Sequence, residues 1–270
     1  MVMNFFHRLE RRITDADSLL CVGLDPDPSK LPTGMGITEF NQNIVAATQT
    51  YVCAYKLNFA FYEAAGVKGW ETLEETLSCI PSDIPVIADA KRADIGNTSR
   101  AYARAIFDGL KFDAVTVNPY LGYDSVVPFL EYSDRGVFVL CRTSNPGFAD
   151  FQALSVEFDG RAVPLYEVVA EKAARWNEHG NVGLVMGATG TDELGLIRRK
   201  HPDLPFLVPG VGAQGGDLAG VVRDGQGLSP AGLIINVSRQ VTFASCGCDY
   251  AEAAAQAAQL LRNEINRYRL

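Results

Sequence analysis

The stretch Val86 to Thr98, VIADAKRADIGNT, gathers the residues best suited to chemistry. Asp89, Lys91, Arg92 and Asp94 crowd together directly after the apolar run Val86, Ile87, Ala88. That run reads as a short strand buried in a parallel sheet. Side chains alternate along a strand, so Asp89 and Lys91 are expected to share one face at its carboxyl end. Opposite charges withdrawn from water there are costly unless they meet each other or a ligand. A carboxylate beside ammonium groups can stabilise developing charge or move a proton. A structural ion pair would look the same in isolation. Gly96 breaks the run, and Asn97 or Thr98 is placed to cap a helix that continues as SRAYARAIF.

The elements that must position these groups repeat along the chain. After a first helix, expected to end near Arg12, apolar strand-like runs occur at 19–25, 54–58, 86–91, 114–119, 136–143, 182–188, 206–211 and 232–238. Segments such as ITEFNQNIVAATQTYV and VPLYEVVAEKAARWNEHG lie between them, with apolar residues at helical spacing. The closing segment DYAEAAAQAAQLLRNEINRYRL opens with Asp249 and Glu252 at capping-box spacing. Eight strands alternating with helices predict an α/β fold, a (β/α)8 (TIM) barrel with an extra N-terminal helix. No linker divides the chain, so residues 1–270 are expected to form a single catalytic domain. A doubly wound sheet would want a glycine-rich fingerprint after the first strand, and LDPDPSKLP is not one. The longest gap, RTSNPGFADFQALSVEFDGRAV, reads as an elaborated active-site loop.

In such a barrel the chemistry sits where strands end. The expected strand ends carry Asp25, Lys56 with Asn58, Asp89 with Lys91, Asn118, Thr143 with Ser144, Thr189, Pro209-Gly210 and Ser238-Arg239. Polar groups over apolar strand bodies at nearly every position are hard to explain as packing. The second and third strands are barrel neighbours, so Lys56 should reach Asp89 and Lys91. Two lysines flanking one aspartate would hold it ionised. Near the chain's end, PGVGAQGGD offers closely spaced glycines whose amides can turn toward an anion, and INVSR adds the forked donor Arg239. Loops after the last two strands of a barrel often hold phosphate, and these are read so.

Composition narrows the classes. The chain has 270 residues, is 47% apolar and carries 24 basic against 32 acidic residues, a net charge of −8. With no basic block, a nucleic-acid partner is not expected. No apolar run is long enough to span a membrane and the N-terminus is amphipathic rather than signal-like, so a soluble, cytoplasmic protein without a membrane partner is expected. Cysteines 21, 53, 79, 141, 246 and 248 form no CxxC and no histidine-spaced metal set. Several sit in apolar runs, where buried thiols are expected, and Cys246-Gly-Cys248 is a weak metal or redox signal. His7, His179 and His201 are scattered, which leaves histidine acid–base chemistry without an obvious supplier.

GLDPDP (23–28), YKLNFAFYE (55–63), DAKRADIGNT (89–98), RTSNPG (142–147), PGVGAQGGD (209–217) and INVSR (235–239) occur in an order that resembles the orotidine 5′-phosphate decarboxylase family, in its longer bacterial form. The resemblance implies decarboxylation of orotidine 5′-phosphate to UMP, the last step of de novo pyrimidine nucleotide synthesis, with no metal or organic cofactor. It also implies a homodimer with shared sites. Lys56, Asp89, Lys91 and Asp94 would be catalytic, Lys91 as proton donor and Asp94 serving the partner's site. Asp25 and Thr98 would hold ribose hydroxyls, Thr98 also across the interface, and Ser144 would bond the pyrimidine. Gln214 and Arg239 would grip the phosphate, helped by backbone amides near Gly210 and Ser238, with Pro209 and Ser238 among the substrate-binding residues. Ala93 stands where many long-form members carry Gly, and residues 221–232 follow no assignable pattern. Two alternatives remain: a metal-dependent decarboxylase or aldolase on a phosphorylated sugar, and a silent nucleotide-binding protein. The first would want a carboxylate where Lys56 stands, and the second has no need of all four charged residues.

Overall fold

The apolar runs become the staves of a closed parallel barrel in a computed structural model that describes residues 4–211 and 216–269. Its strands are β1 (Leu20–Gly23), β2 (Ala54–Asn58), β3 (Val86–Arg92), β4 (Ala114–Val117) and β5 (Gly136–Arg142), then β8 (Val182–Met186), β9 (Phe206–Pro209) and β10 (Leu233–Val237). Between them β6 (Ser155–Phe158) and β7 (Arg161–Pro164) form a separate antiparallel hairpin, turned by Asp159 and Gly160, both at positive φ. Chain neighbours pair in sequence around the barrel, and β1 closes it against β10. β1, β4, β8 and β10 are buried along their whole length, which accounts for their largely apolar sequences, broken only by Thr116 in β4 and Asn236 in β10.

Helices cover the strands. They are α1 (Phe5–Ala16), α2 (Ile37–Thr48), α3 (Phe59–Glu63), α4 (Val67–Ser78), α5 (Gly96–Arg104), α6 (Tyr123–Leu130), α7 (Leu165–Arg175), α8 (Thr191–Lys200), α9 (Leu218–Gly225), α10 (Arg239–Thr242) and α11 (Tyr250–Tyr268). The expected extra helix is α1, which runs past Arg12 to Ala16 and ends at a left-handed Asp17. Its Phe5 and Phe6 pack edge-on against Phe138 of β5, with centroids 5.9 and 5.7 Å away. Gly136 makes that possible, because a Cβ there would lie 2.4 Å from the Phe5 ring.

Two local expectations are corrected. The N-cap of α5 is Ile95, so Asn97 and Thr98 lie inside the helix and neither caps it. Asp249 does precede α11, but its carboxylate accepts from the Ser245 hydroxyl at 2.6 Å instead of capping. The latter part of the 142–163 segment is the β6–β7 hairpin, a small sheet of its own.

The stretch 221–232, opaque in sequence, has a packing role. Val221 and Val222 of α9 are fully buried, and the loop after it wraps the buried guanidinium of Arg198. Arg198 donates to the carbonyls of Gly225, His201, Pro202, Leu204 and Gly232 at 2.7–3.2 Å. It also stacks 3.7 Å above the Phe206 ring. Burial pushes its pKa down to about 10, so it stays charged at neutral pH. Replacing it would leave several buried carbonyls unsatisfied, each worth about 1–3 kcal/mol. Arg198→Met is therefore expected to lower the unfolding free energy by about 3–5 kcal/mol in urea titrations, the range typical of a broken buried polar network.

Candidate functional site

At the carboxyl ends of the strands a cavity of about 590 Å³ opens, lined by charge at one side and apolar at its floor. Leu140, Val185 and Leu207 form the apolar part. Lys56 and Asp89 stand on adjacent strands; Asn58 is level with Asp89 in the β2–β3 ladder, so the long Lys56 side chain climbs to the carboxylate's height. Its Nζ donates to Asp89 Oδ2 at 2.8 Å. Lys91 Nζ takes the other oxygen, Oδ1, at 2.5 Å. Asp25, just beyond β1, brings Oδ1 to 3.8 Å from Lys56 Nζ. Charges therefore alternate in space: Asp25, Lys56, Asp89, Lys91.

Burial sets the energetics. The Lys56 side chain is 4% exposed and that of Asp89 12%, whereas Lys91 is half open to solvent. Burial alone would push Lys56 down, but the carboxylates of Asp25 and Asp89 outweigh it and hold its pKa above the ordinary lysine value. Burial would likewise raise Asp89, yet Lys56 and then Lys91 outweigh it and hold the carboxyl well below its usual range. The two charges are thus each other's condition for existing here.

β3 does not alternate regularly through this region. Its ladder with β4 slips between Ala88 and Arg92, and Lys91 adopts a left-handed φ of 48°. Asp89 and Lys91 still meet, through a bulge rather than by simple pleating. Arg92 turns away from them to pair with Glu63 and to lie over the Phe59 and Tyr102 rings.

Asp25 is held by Ser238, whose Oγ donates to Oδ2 at 2.7 Å. This contact needs Gly23, since a Cβ there would sit 1.9 Å from that hydroxyl oxygen. Ser144 lines the cavity with its carbonyl bonded by Thr189 Oγ1 at 3.2 Å. Gly187 lets this loop approach, because a Cβ would come 2.5 Å from Ser144 N. Beneath it lies buried Arg142, bonded to Thr189 and Glu193 and 4.1 Å over the Phe148 ring. Pro209, Gly210, Ser238 and Arg239 line the rim together, and Arg239 is exposed, with no ion pair among the described residues. Gln214 lies outside the described residues.

Asp94 and Thr98 do not line this cavity. Asp94 is part-exposed, with Oδ1 accepting from Ile95 N at 2.8 Å, and Thr98 is exposed on α5. The strand-end reading passed over Thr116, a buried β4 residue bonded to Asp89, because it stands before the strand's end. It also passed over Asp27 and Lys30 on the rim, paired at 3.6 Å, though the DPDPSK charges signalled them. Cys21, Cys53 and Cys141 are buried, and burial pushes Cys53 up to about 12. Cys246 and Cys248 are exposed and free. Among the described residues no three His, Cys, Asp or Glu side chains gather to hold a metal, and no helix is long and apolar enough to cross a membrane.

The sequence profile of the "Orotidine 5'-phosphate decarboxylase / HUMPS family" matches residues 18–257. An orotidine 5′-phosphate decarboxylase from Dehalococcoides mccartyi is 54% identical over 267 residues, covering 99% of both chains. The Leishmania donovani OMP decarboxylase structure superposes with a TM-score of 0.86 at 42% identity, covering 98% of this chain and 99% of the other. The UMP synthase of that organism gives a TM-score of 0.87 at 44% identity over 98% of this chain, which spans only 56% of the synthase.

The charges make a pH test available. A carboxyl with a depressed folded pKa contributes stability above its unfolded value, near 3.9, and loses it as pH falls below that. Urea titrations should show the stability of wild type relative to Asp89→Asn level from about pH 5 to 9 and declining below about pH 4.

Proposed function

Because the chain belongs to the orotidine 5′-phosphate decarboxylase family, we propose that it converts orotidine 5′-phosphate and a proton to UMP and CO2, as a carboxy-lyase working without metal or organic cofactor. The observation that carries this reading is the alternating run Asp25, Lys56, Asp89, Lys91 at one side of a partly apolar cavity. Cleaving the bond between C6 and the carboxylate leaves its electron pair on C6, with no carbonyl placed to delocalise it. Stabilisation must come from fixed charge already in position. Lys91 is the cation with an accessible head, and its Nζ would both face the carbanion and give it a proton, regaining one from solvent. Asp89, unable to neutralise, would sit against the departing carboxylate. Lys56 holds Asp89 ionised and in place.

Along the β9–β10 rim Arg239, with Pro209, Ser238 and the proposed Gln214, would hold the phosphate, and Asp25 the ribose. Binding energy gathered there, remote from C6, can go into assembling the reactive end. Ser144 would meet the pyrimidine. Lys56, where a metal-dependent enzyme on a sugar phosphate would want a carboxylate, favours decarboxylation over that alternative. The whole of 1–270 is read as one catalytic domain in the cytoplasm.

A homodimer completes the reading. Asp94 and Thr98 stand outside their own cavity, next to an exposed Ile95, and Tyr120, Leu121 and Phe151 expose apolar surface in the following strand-end loops. Such a patch suits a second copy. Across it, Asp94 would extend the partner's charge run and Thr98 would reach the partner's ribose.

Purified protein in EDTA should consume orotidine 5′-phosphate, seen as loss of its absorbance, and Lys91→Ala should lose nearly all turnover while still assembling. A variant keeping a tenth of wild-type rate would exclude Lys91 as the donor. The shared site has its own test. Subunits of Asp94→Asn and Lys91→Ala, each nearly inactive, should on exchange form mixed dimers with one doubly damaged and one intact site. Random mixing makes about half the dimers mixed, so activity should climb toward about a quarter of wild type, by the same counting that governs any symmetric two-site dimer. A mixture that stays inactive despite proven exchange places Asp94 in its own chain's site.

A further inference from the structure

Thr116 occupies the point where the two irregularities of the site meet. The residue is buried in β4, 1% exposed, and borders the cavity. Its Oγ1 donates to Asp89 Oδ1 at 3.1 Å and accepts from the backbone N–H of Lys91 at 3.0 Å. A hydroxyl has one hydrogen to give, and here the carboxylate takes it. The amide supplies the other bond, so the rotor has a single orientation that satisfies both partners.

The ladder explains why a side chain is needed. Ala88 pairs with Val115 and Arg92 with Val117, so Thr116 alone faces Asp89, Ala90 and Lys91. Within this slipped stretch the Lys91 amide donates to the Thr116 hydroxyl, a side chain, at 3.0 Å. The same bond anchors a lysine held in a left-handed conformation that non-glycine residues rarely adopt. Regular pleating returns only at Arg92, whose carbonyl receives Asn118 N at 3.1 Å. The hydroxyl thus ties the backbone that aims one lysine to the carboxylate that lies between two.

Resting on the decarboxylation reading above, we infer that Thr116 is a positioning residue: it fixes the Lys91 backbone and the Asp89 carboxylate in one geometry, without itself meeting substrate. Displacements on the order of 1 Å between reacting groups can cost roughly 100-fold in rate, so the role should appear in turnover rather than affinity.

The experiment compares Thr116→Val, which keeps shape and removes the hydroxyl, with Thr116→Ser, which keeps the hydroxyl. With orotidine 5′-phosphate, the valine variant should lose roughly 10–100-fold in kcat with KM within about threefold of wild type, and the serine variant should stay within about threefold in both. The crystal structure of the valine variant should show Lys91 out of the left-handed region or Asp89 turned off Lys91. Should valine not fold, Thr116→Ala carries the same expectation. The inference is overturned if the valine variant keeps wild-type kcat, if serine falls as far as valine, or if the loss is in KM alone. If wild type turns over no orotidine 5′-phosphate, the decarboxylation reading is what fails. The positioning role is then judged on the valine variant's crystal structure, where unmoved Lys91 and Asp89 would end it.

Discussion

The Lys56–Asp89 pair is the constraint around which the rest is arranged. Each charge sits in a place where burial opposes it, and each is kept ionised by its neighbours. Removing two ions from water costs several kcal/mol apiece, and their attraction recovers that only when geometry and further hydrogen bonds are good. The fold supplies both. Asp25 stands at Lys56's other side, Lys91 and Thr116 occupy the remaining Asp89 oxygen, and a barrel with a large apolar core tolerates the residual cost. A site of this kind is preorganised in the literal sense: its charges are present before any substrate arrives.

The architecture was legible because parallel barrels write themselves plainly. The bodies of the strands are buried on both faces, so their sequences are largely apolar runs, and each run ends in the residues the loops present. Lys56, Asp89, Asp25, Ser144 and Arg239 could all be placed at strand ends by that reasoning, and the chain does bring them to one cavity. Element ends were less clear. Ile95, not Asn97 or Thr98, is the N-cap of α5, and the turn into the helix is made by Gly96 at positive φ with no side-chain cap bond, which the sequence alone does not signal.

What stayed hidden depended on register. The β3 bulge cannot be seen in VIADAKRAD, since a two-residue period fits the letters well and only pairing with β4 reveals the slip. Thr116 was hidden for the same reason: it lies within an apolar strand and gains its meaning from what stands opposite. Arg198 shows the other blind spot. A buried arginine satisfied by carbonyls from three segments leaves no local pattern, so the loop 221–232 looked arbitrary until its carbonyls were counted as partners.

Helix α1 carries a consequence for how the molecule comes to be. The helix and its N-cap touch distant parts of the chain: Asn4 at the cap bonds Gly180, Arg8 bonds Asp113, and Glu10 receives a bond from Ser229. These partners are 176, 105 and 219 residues away. During synthesis this helix is made before the segments it docks on, and its contact with Ser229 forms only when β10 is about to follow. For most of synthesis it must wait with Phe5, Phe6, Leu9 and Ile13 unburied, an amphipathic segment without a floor. Contacts of such span are slow to form and leave sticky surface exposed meanwhile. The helix is therefore made well before its seat, and its apolar face has nothing to cover until segments more than a hundred residues downstream have followed.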